Sequence, residues 1–168
     1  KAVDSQEIKF LGLIGKAGRD LLEQVENIFA ISASSDMMVN DIRTNTLDTI
    51  FDEVILRAEE CNDKGIQIQA KIDPTAQGSW ALDGRKLASI LGNLLSNAVK
   101  FSHATGIVEI TAKESDTGGL LFSITDKGTG FDMSELGTLL EPFTQNDVSI
   151  SRAHGGSGLG LPASSRLC

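Results

Sequence analysis

Two asparagines and a lysine occur in one short stretch of the sequence, separated by four and three residues. They are Asn93, Asn97 and Lys100 in NLLSNAVKF. On a helix, these spacings place the three side chains on one face. An amide oxygen is a hard ligand that suits Mg²⁺, which takes further oxygens from water and phosphate, and an ammonium group offers a point charge to phosphate. The pattern therefore indicates either a site for a metal and phosphate or an ordinary solvated polar face.

A carboxylate and two glycines end an apolar stretch in DKGTGF. Asp126 stands just before Gly128 and Gly130. A carboxylate there can accept hydrogen bonds from an amine, and the glycines allow a flat ring to approach the backbone. Because Asp and Gly are also common where a strand turns into a loop, an ordinary turn is the alternative interpretation.

Four further glycines lead into the last predicted helix, in HGGSGLGL. Such a segment can present free N–H groups and the positive end of a helix to phosphate, and a flexible linker is the alternative. It is not a P-loop, because no Gly-Lys-Ser/Thr follows at the required spacing. No strand directly precedes it, which argues against the dinucleotide-binding fingerprint. The glycines are Gly155, Gly156, Gly158 and Gly160.

Taken together and in this order, the motifs resemble those of the ATP-binding catalytic domain of sensor histidine kinases, within the GHKL superfamily. NLLSNAVKFS is similar to the N box, DKGTGF to the G1 box, EPFTQ to the F box and GGSGLGL to the G2 box. The resemblance extends from about residue 40 to the C-terminus. It implies a Bergerat-type ATP-binding fold that takes ATP and Mg²⁺.

The resemblance also implies a role for each residue of the N and G1 boxes. Asn97 would coordinate Mg²⁺, Asn93 would lie close to the metal and the phosphates, and Lys100 would reach phosphate. Asp126 would bind the adenine amine, and the two glycines that follow it would lie beside the ring.

The F and G2 boxes would form the phosphate side of the same site. Phe143 would anchor a mobile lid of about residues 146–156, within which His154 is a further candidate for a phosphate contact. The residues implied to cover the phosphates are Ser157, Gly158, Leu159 and Gly160.

These motifs need a scaffold, and the apolar periodicity predicts one. After a long helix we predict the order strand, helix, strand, strand, helix, strand, strand, loop and helix. Strands grouped beside helices indicate an α+β fold, an α/β sandwich with a mixed, largely antiparallel sheet packed on helices. We assign residues 40–168 to this ATP-binding domain and expect it to be truncated at its C-terminus.

The long helix, predicted within residues 4–36, carries apolar residues at heptad spacing. Such a seam predicts either dimerisation or packing on the chain's own domain. The segment that starts at Gly15 resembles the second helix of the family's dimerisation and histidine-phosphotransfer hairpin. We therefore interpret residues 1–36 as part of that hairpin and expect a homodimer. The seam consists of Leu11, Ile14, Gly18, Leu21, Val25 and Ile28.

The phosphoacceptor histidine of the family has no counterpart in this sequence. No Ser-His-Glu-Leu-Arg-like box is present, and neither His103 nor His154 has the sequence context of an acceptor. We therefore expect the chain to bind ATP and to transfer its γ-phosphoryl group to a histidine outside this chain, for relay to a response-regulator aspartate. Truncation and natural loss both explain a missing histidine.

Position 93 separates this family from its neighbours. Hydrolytic GHKL ATPases carry a glutamate base where Asn93 stands, so water activation should be weak here. A hydrolytic ATPase and a pseudokinase that signals by contact are the alternatives.

The composition limits the class of protein further. The chain has 15 basic and 23 acidic residues, a net charge of −8, which argues against a nucleic-acid partner. Cys61 and Cys168 show neither metal-ligand spacing nor a disulfide pattern, which indicates a reducing compartment. Since no apolar run approaches the roughly 18 residues of a membrane span, we expect a cytoplasmic chain, whose parent protein could be anchored in the inner membrane.

Overall fold

The computed structural model describes residues 5–32, 41–60, 62–144 and 158–167 of the chain. Within these ranges the α-helices are α1 (Ser5–Ser32), α2 (Leu47–Glu60), α3 (Gly84–Phe101), α4 (Leu136–Leu139) and α5 (Gly160–Leu167). The strands are β1 (Arg43–Thr46), β2 (Gln67–Ile72), β3 (Ser79–Leu82), β4 (Ile107–Glu114) and β5 (Leu120–Thr125). Apart from the short helix α4, their order along the chain is the predicted one.

The described strands form two sheets. β1 pairs with β3 in an antiparallel sheet of two strands, while β2, β4 and β5 form a sheet of three strands in that order. β2 runs parallel to β4, and β4 runs antiparallel to β5. The mixed sheet and the α+β class confirm the predicted fold.

The hydrophobic core lies between helices α2 and α3 and the three-stranded sheet. Along β4, alternate residues point into it, and Val108, Ile110 and Ala112 are buried, as the period of a strand requires. From α2, Phe51 is buried and its ring centroid lies 6.4 Å from that of Phe122 on β5. This packing fixes α3 against the sheet and so fixes the N box.

Helix α3 begins at a side-chain cap. One oxygen of Asp83 accepts a hydrogen bond from the Lys86 N–H at 3.1 Å, and the other accepts from the Asp41 N–H at 3.0 Å. Burial would raise the pKa of Asp83, but these hydrogen bonds outweigh burial and lower its pKa below the ordinary value. Asp83 therefore joins the start of the N-box helix to the chain just before β1.

Helix α1 is 28 residues long and lies within the predicted residues 4–36. The apolar residues of its heptad seam are exposed, with Ile14 at 68% and Val25 at 40%. Among the α1 side chains that the structure describes, Asn27 is the buried one, and near it α1 packs against α5. The apolar seam thus faces away from the domain, while an amide makes the inward contact. None of the described helices is both long enough and apolar enough to cross a membrane.

Candidate nucleotide-binding site

Helix α3 presents the predicted N-box side chains on one face. Asn93 is buried, whereas Asn97 and Lys100 are half-buried. Burial lowers the pKa of Lys100 from its ordinary value, and its ammonium nitrogen lies 5.1 Å from the centroid of the Phe101 ring. A partly desolvated cation beside an amide is well suited to an anionic ligand.

The Asn93 side chain is enclosed by two other helices. Its Nδ2 donates to Oδ1 of Asn27 on α1 at 3.3 Å and to Oγ of Ser164 on α5 at 3.5 Å. A Cβ atom added at Gly160, the first residue of α5, would lie 3.4 Å from Asn93 Oδ1. The start of the G2 helix is therefore in contact with the N box, and Asn93 is not part of a solvated polar face.

The G1 loop is held against the C-terminal end of α3. Ser102, which caps α3, forms an antiparallel bridge with Gly128. A Cβ atom at Gly128 would lie only 2.4 Å from the carbonyl oxygen of Phe101, a distance that no side chain tolerates. The exposed carboxylate of Asp126 accepts a hydrogen bond from the Gly128 N–H at 2.7 Å. Glycine is thus required for the close approach of this loop to the N box.

Gly130, the second glycine of the G1 loop, is needed for a different reason. It adopts a positive φ of 64°, and the space around it is open. Its backbone conformation rather than a close contact therefore favours glycine at this position.

The F and G2 boxes meet through their backbones. The N–H of Phe143 donates to the carbonyl oxygen of Gly158 at 3.2 Å, and the Phe143 side chain is 71% exposed. Leu159 is buried at 2% exposure. The predicted lid at residues 146–156, with His154, and the predicted phosphate-covering Ser157 lie outside the described residues.

Residues that sequence reasoning missed stabilise the site. The Lys64 ammonium group donates to the carbonyl oxygens of Lys100 and Ser102, the latter at 3.0 Å, and so caps the end of the N-box helix. Asn27 and Ser164 hold the Asn93 amide. These side chains belong to no motif, and the residues that they contact lie 36 to 71 positions away in the sequence. No local sequence pattern therefore predicts these contacts.

The comparison with protein families identifies the domain. Residues 82–168 match the family described as histidine kinase-, DNA gyrase B- and HSP90-like ATPases. The chain belongs to this family. The match begins just before α3 and includes the N, G1, F and G2 boxes, so the prediction of an ATP-binding catalytic domain is confirmed.

Curated relatives narrow the similarity to histidine kinases. The chain is 30% identical over 167 residues to the sensor protein GacS of Pseudomonas syringae pv. syringae. The matched region covers 96% of this chain and 18% of GacS. It is 31% identical over 171 residues to the hybrid signal transduction histidine kinase B of Dictyostelium discoideum, covering 99% of this chain and 9% of that protein. The chain therefore spans less than a fifth of these relatives, and the predicted resemblance to sensor histidine kinases is confirmed.

Solved structures show the same fold. Full-length ShkA in complex with AMPPNP superposes with a TM-score of 0.73 at 26% identity, over 99% of this chain and 34% of ShkA. The mycobacterial sensor histidine kinase MprB superposes with a TM-score of 0.63 at 23% identity, over 75% of this chain and 77% of that one. The ShkA match includes the long helix α1 as well as the catalytic domain.

Proposed function

We propose that this chain is the ATP-binding catalytic part of a sensor histidine kinase and transfers the γ-phosphoryl group of ATP to a histidine outside it. The observation that carries the proposal is the position of α3 between the two glycine motifs. Its C-terminal end bridges the G1 loop through Ser102 and Gly128, and its Asn93 contacts the start of the G2 helix at Gly160. One helix thus joins the adenine side of the site to the phosphate side.

The G1 loop fits the adenine ring of ATP. The Asp126 carboxylate is exposed, and one oxygen is used by the Gly128 N–H. The other oxygen can accept a hydrogen bond from an exocyclic amine. Because Gly128 lies directly on the Phe101 carbonyl, the loop stays flat against α3 and leaves its outer side for a planar ring.

The N box fits Mg²⁺ and phosphate. Asn97 offers a half-buried amide oxygen, a hard ligand, and Lys100 offers an ammonium group on the same face. Mg²⁺ at this position would neutralise charge on the nucleotide phosphates. The residue at position 93 is an amide, which cannot accept a proton from water as a glutamate base does. Catalysis would then rest on orientation and charge neutralisation, with a histidine as the nucleophile.

The long helix fits a dimeric assembly with a phosphoacceptor supplied elsewhere. The exposed apolar seam of α1, with Leu11, Ile14 and Leu21 each more than 60% exposed, matches the heptad pattern of helices that pair. We propose a homodimer through this helix in the cytoplasm. The phosphorylated histidine would then serve a response-regulator aspartate.

Calorimetric titration with an ATP analogue, with and without Mg²⁺, tests the proposal. We expect binding that strengthens when Mg²⁺ is present. Steady release of inorganic phosphate from ATP would instead indicate a hydrolytic ATPase. Complete absence of nucleotide binding would contradict the proposal and favour a module that signals by contact.

A further inference from the structure

The Asn93 amide is anchored by its nitrogen. Both hydrogen bonds, to Asn27 Oδ1 at 3.3 Å and to Ser164 Oγ at 3.5 Å, use Nδ2 as the donor. All three side chains are buried, at 7%, 4% and 4% exposure respectively. Water therefore cannot replace either acceptor without a rearrangement of the three helices.

The two hydrogen bonds hold the Asn93 amide group in place between α1 and α5. Because Asn27 and Ser164 each offer a donor as well as an acceptor, they fix the position of the group. Its Oδ1 and Cγ lie 3.4 and 3.5 Å from the position that a Cβ would take on Gly160. The amide group is thus in contact with the start of the G2 helix, where the proposed function locates the phosphates.

We propose that Asn27 and Ser164 are positioning residues, which hold the Asn93 amide group beside the metal and phosphates of Mg-ATP. This inference rests on the proposed function and adds a regulatory consequence. Asn27 belongs to α1, whose other described side chains are not buried. On this proposal, docking of α1 and binding of Mg-ATP favour each other.

A nearly isosteric variant separates the hydrogen bond from the packing. Asn27→Leu keeps the side-chain volume but removes the acceptor, and it leaves Nδ2 of Asn93 with Ser164 alone. A matched control is Gln24→Leu, which makes an amide-to-leucine change at an exposed position of the same helix.

The affinity of each variant for AMPPNP is measured by calorimetry in Mg²⁺ and in EDTA. For Asn27→Leu we expect binding about five- to tenfold weaker in Mg²⁺, the loss that corresponds to one net hydrogen bond, with less than a twofold change in EDTA. Gln24→Leu should lie within about twofold of the wild-type protein in both conditions.

The outcomes distinguish the positioning role from the proposed function. If the wild-type protein binds AMPPNP in Mg²⁺ and Asn27→Leu binds it with the same affinity, the positioning role is wrong. The proposed function is not affected by that result. An equal loss in Mg²⁺ and EDTA would reveal a purely structural contact and would also overturn the positioning role. No binding by the wild-type protein would overturn the proposed function, and the positioning role with it. Ser164→Ala, read in the same way, provides a second test if Asn27→Leu does not fold.

Discussion

The backbone N–H of Phe143 donates a hydrogen bond to the carbonyl oxygen of Gly158, and both residues have a positive φ, of 65° and 68°. This conformation is rare for phenylalanine and costs of order 1–3 kcal/mol. The hydrogen bond therefore joins the described chain before residue 145 to the described chain after residue 157. Because Phe143 lies beside the proposed nucleotide site, we infer that this junction serves binding.

Substitution of Gly158 should disturb this junction. In Gly158→Ala, the new Cβ would lie 2.7 Å from the carbonyl oxygen of Thr144, at a φ that alanine rarely adopts. We expect weaker binding of Mg-AMPPNP in calorimetry and a loss of about 1–2 kcal/mol in the free energy of unfolding. Gly137→Ala is the control, because Gly137 has open space around it. Wild-type affinity in Gly158→Ala would show that the junction is not needed for the nucleotide.

The Gly128→Ala change tests the contact between the G1 loop and α3. A Cβ atom 2.4 Å from the Phe101 carbonyl oxygen must push the loop off the helix, since a backbone atom cannot yield as a flexible side chain can. We expect lower thermal stability and loss of nucleotide binding. The control is Gly92→Ala, at an open position inside α3, where alanine should stabilise the helix by up to about 1 kcal/mol. Equal melting temperatures for the two variants would argue against the steric account.

Changes at Asn97 test the metal assignment. Asn97→Ala removes the amide oxygen, and Asn97→Asp adds negative charge beside the phosphates. We expect both variants to lose Mg-ATP binding in calorimetry while circular dichroism shows an unchanged fold, because Asn97 is half-buried and outside the apolar core. Ser96→Ala, at the exposed neighbouring position, should bind like the wild-type protein. Unchanged affinity of the Asn97 variants would refute the assignment.

The cap of α3 should make stability depend on pH. Because its hydrogen bonds lower the pKa of Asp83 in the folded protein, the stabilisation is present above the unfolded-state pKa of about 4 and is lost as the pH falls through the lower folded-state value. Asp83→Ala should lower the free energy of unfolding at neutral pH by about 1 kcal/mol. It should also make that free energy less sensitive to pH in the acid range. Denaturant unfolding between about pH 2 and 7 measures the free energy of unfolding and its dependence on pH. Asp83→Asn retains the cap, so it should be less destabilised than Asp83→Ala at neutral pH.

Local patterns in the sequence predicted most of the scaffold. Apolar and polar residues alternate in β4 and β5, and apolar stripes run along α2 and α3. Each of these patterns reflects one buried face and can be recognised within a single segment of the sequence. The sequence predicts Gly128 and Gly158 as nucleotide-binding glycines, but it does not predict their close approach to the backbones of Phe101 and Thr144. The sheets could not be assigned in detail, because the pairing of β1 with β3 depends on residues more than 30 positions apart.

The polar contacts around the N box were not predictable in the same way. In the sequence Asn27 lies between Val25 and Ile28 of the heptad seam, but it lies on another face of α1 and contacts a residue 66 positions further along the chain. Lys64 lies in a turn, where a charged residue is ordinary. Neither residue is part of a periodic sequence pattern that would indicate its contact. Their importance depends on the packing of α1, α3 and α5, which only the three-dimensional arrangement specifies.

The arrangement of β2 and β4 has a consequence for synthesis on the ribosome. The two strands are parallel, and α3 lies in the connection between them. When α3 leaves the exit tunnel, β4 and the G1 loop are still inside it, and α5 follows later. The contacts that join α3 to the G1 loop and to α5 therefore form only after all three segments have emerged. ATP, which we propose that the domain binds, can stabilise the folded domain by mass action, but it cannot bind before these contacts exist.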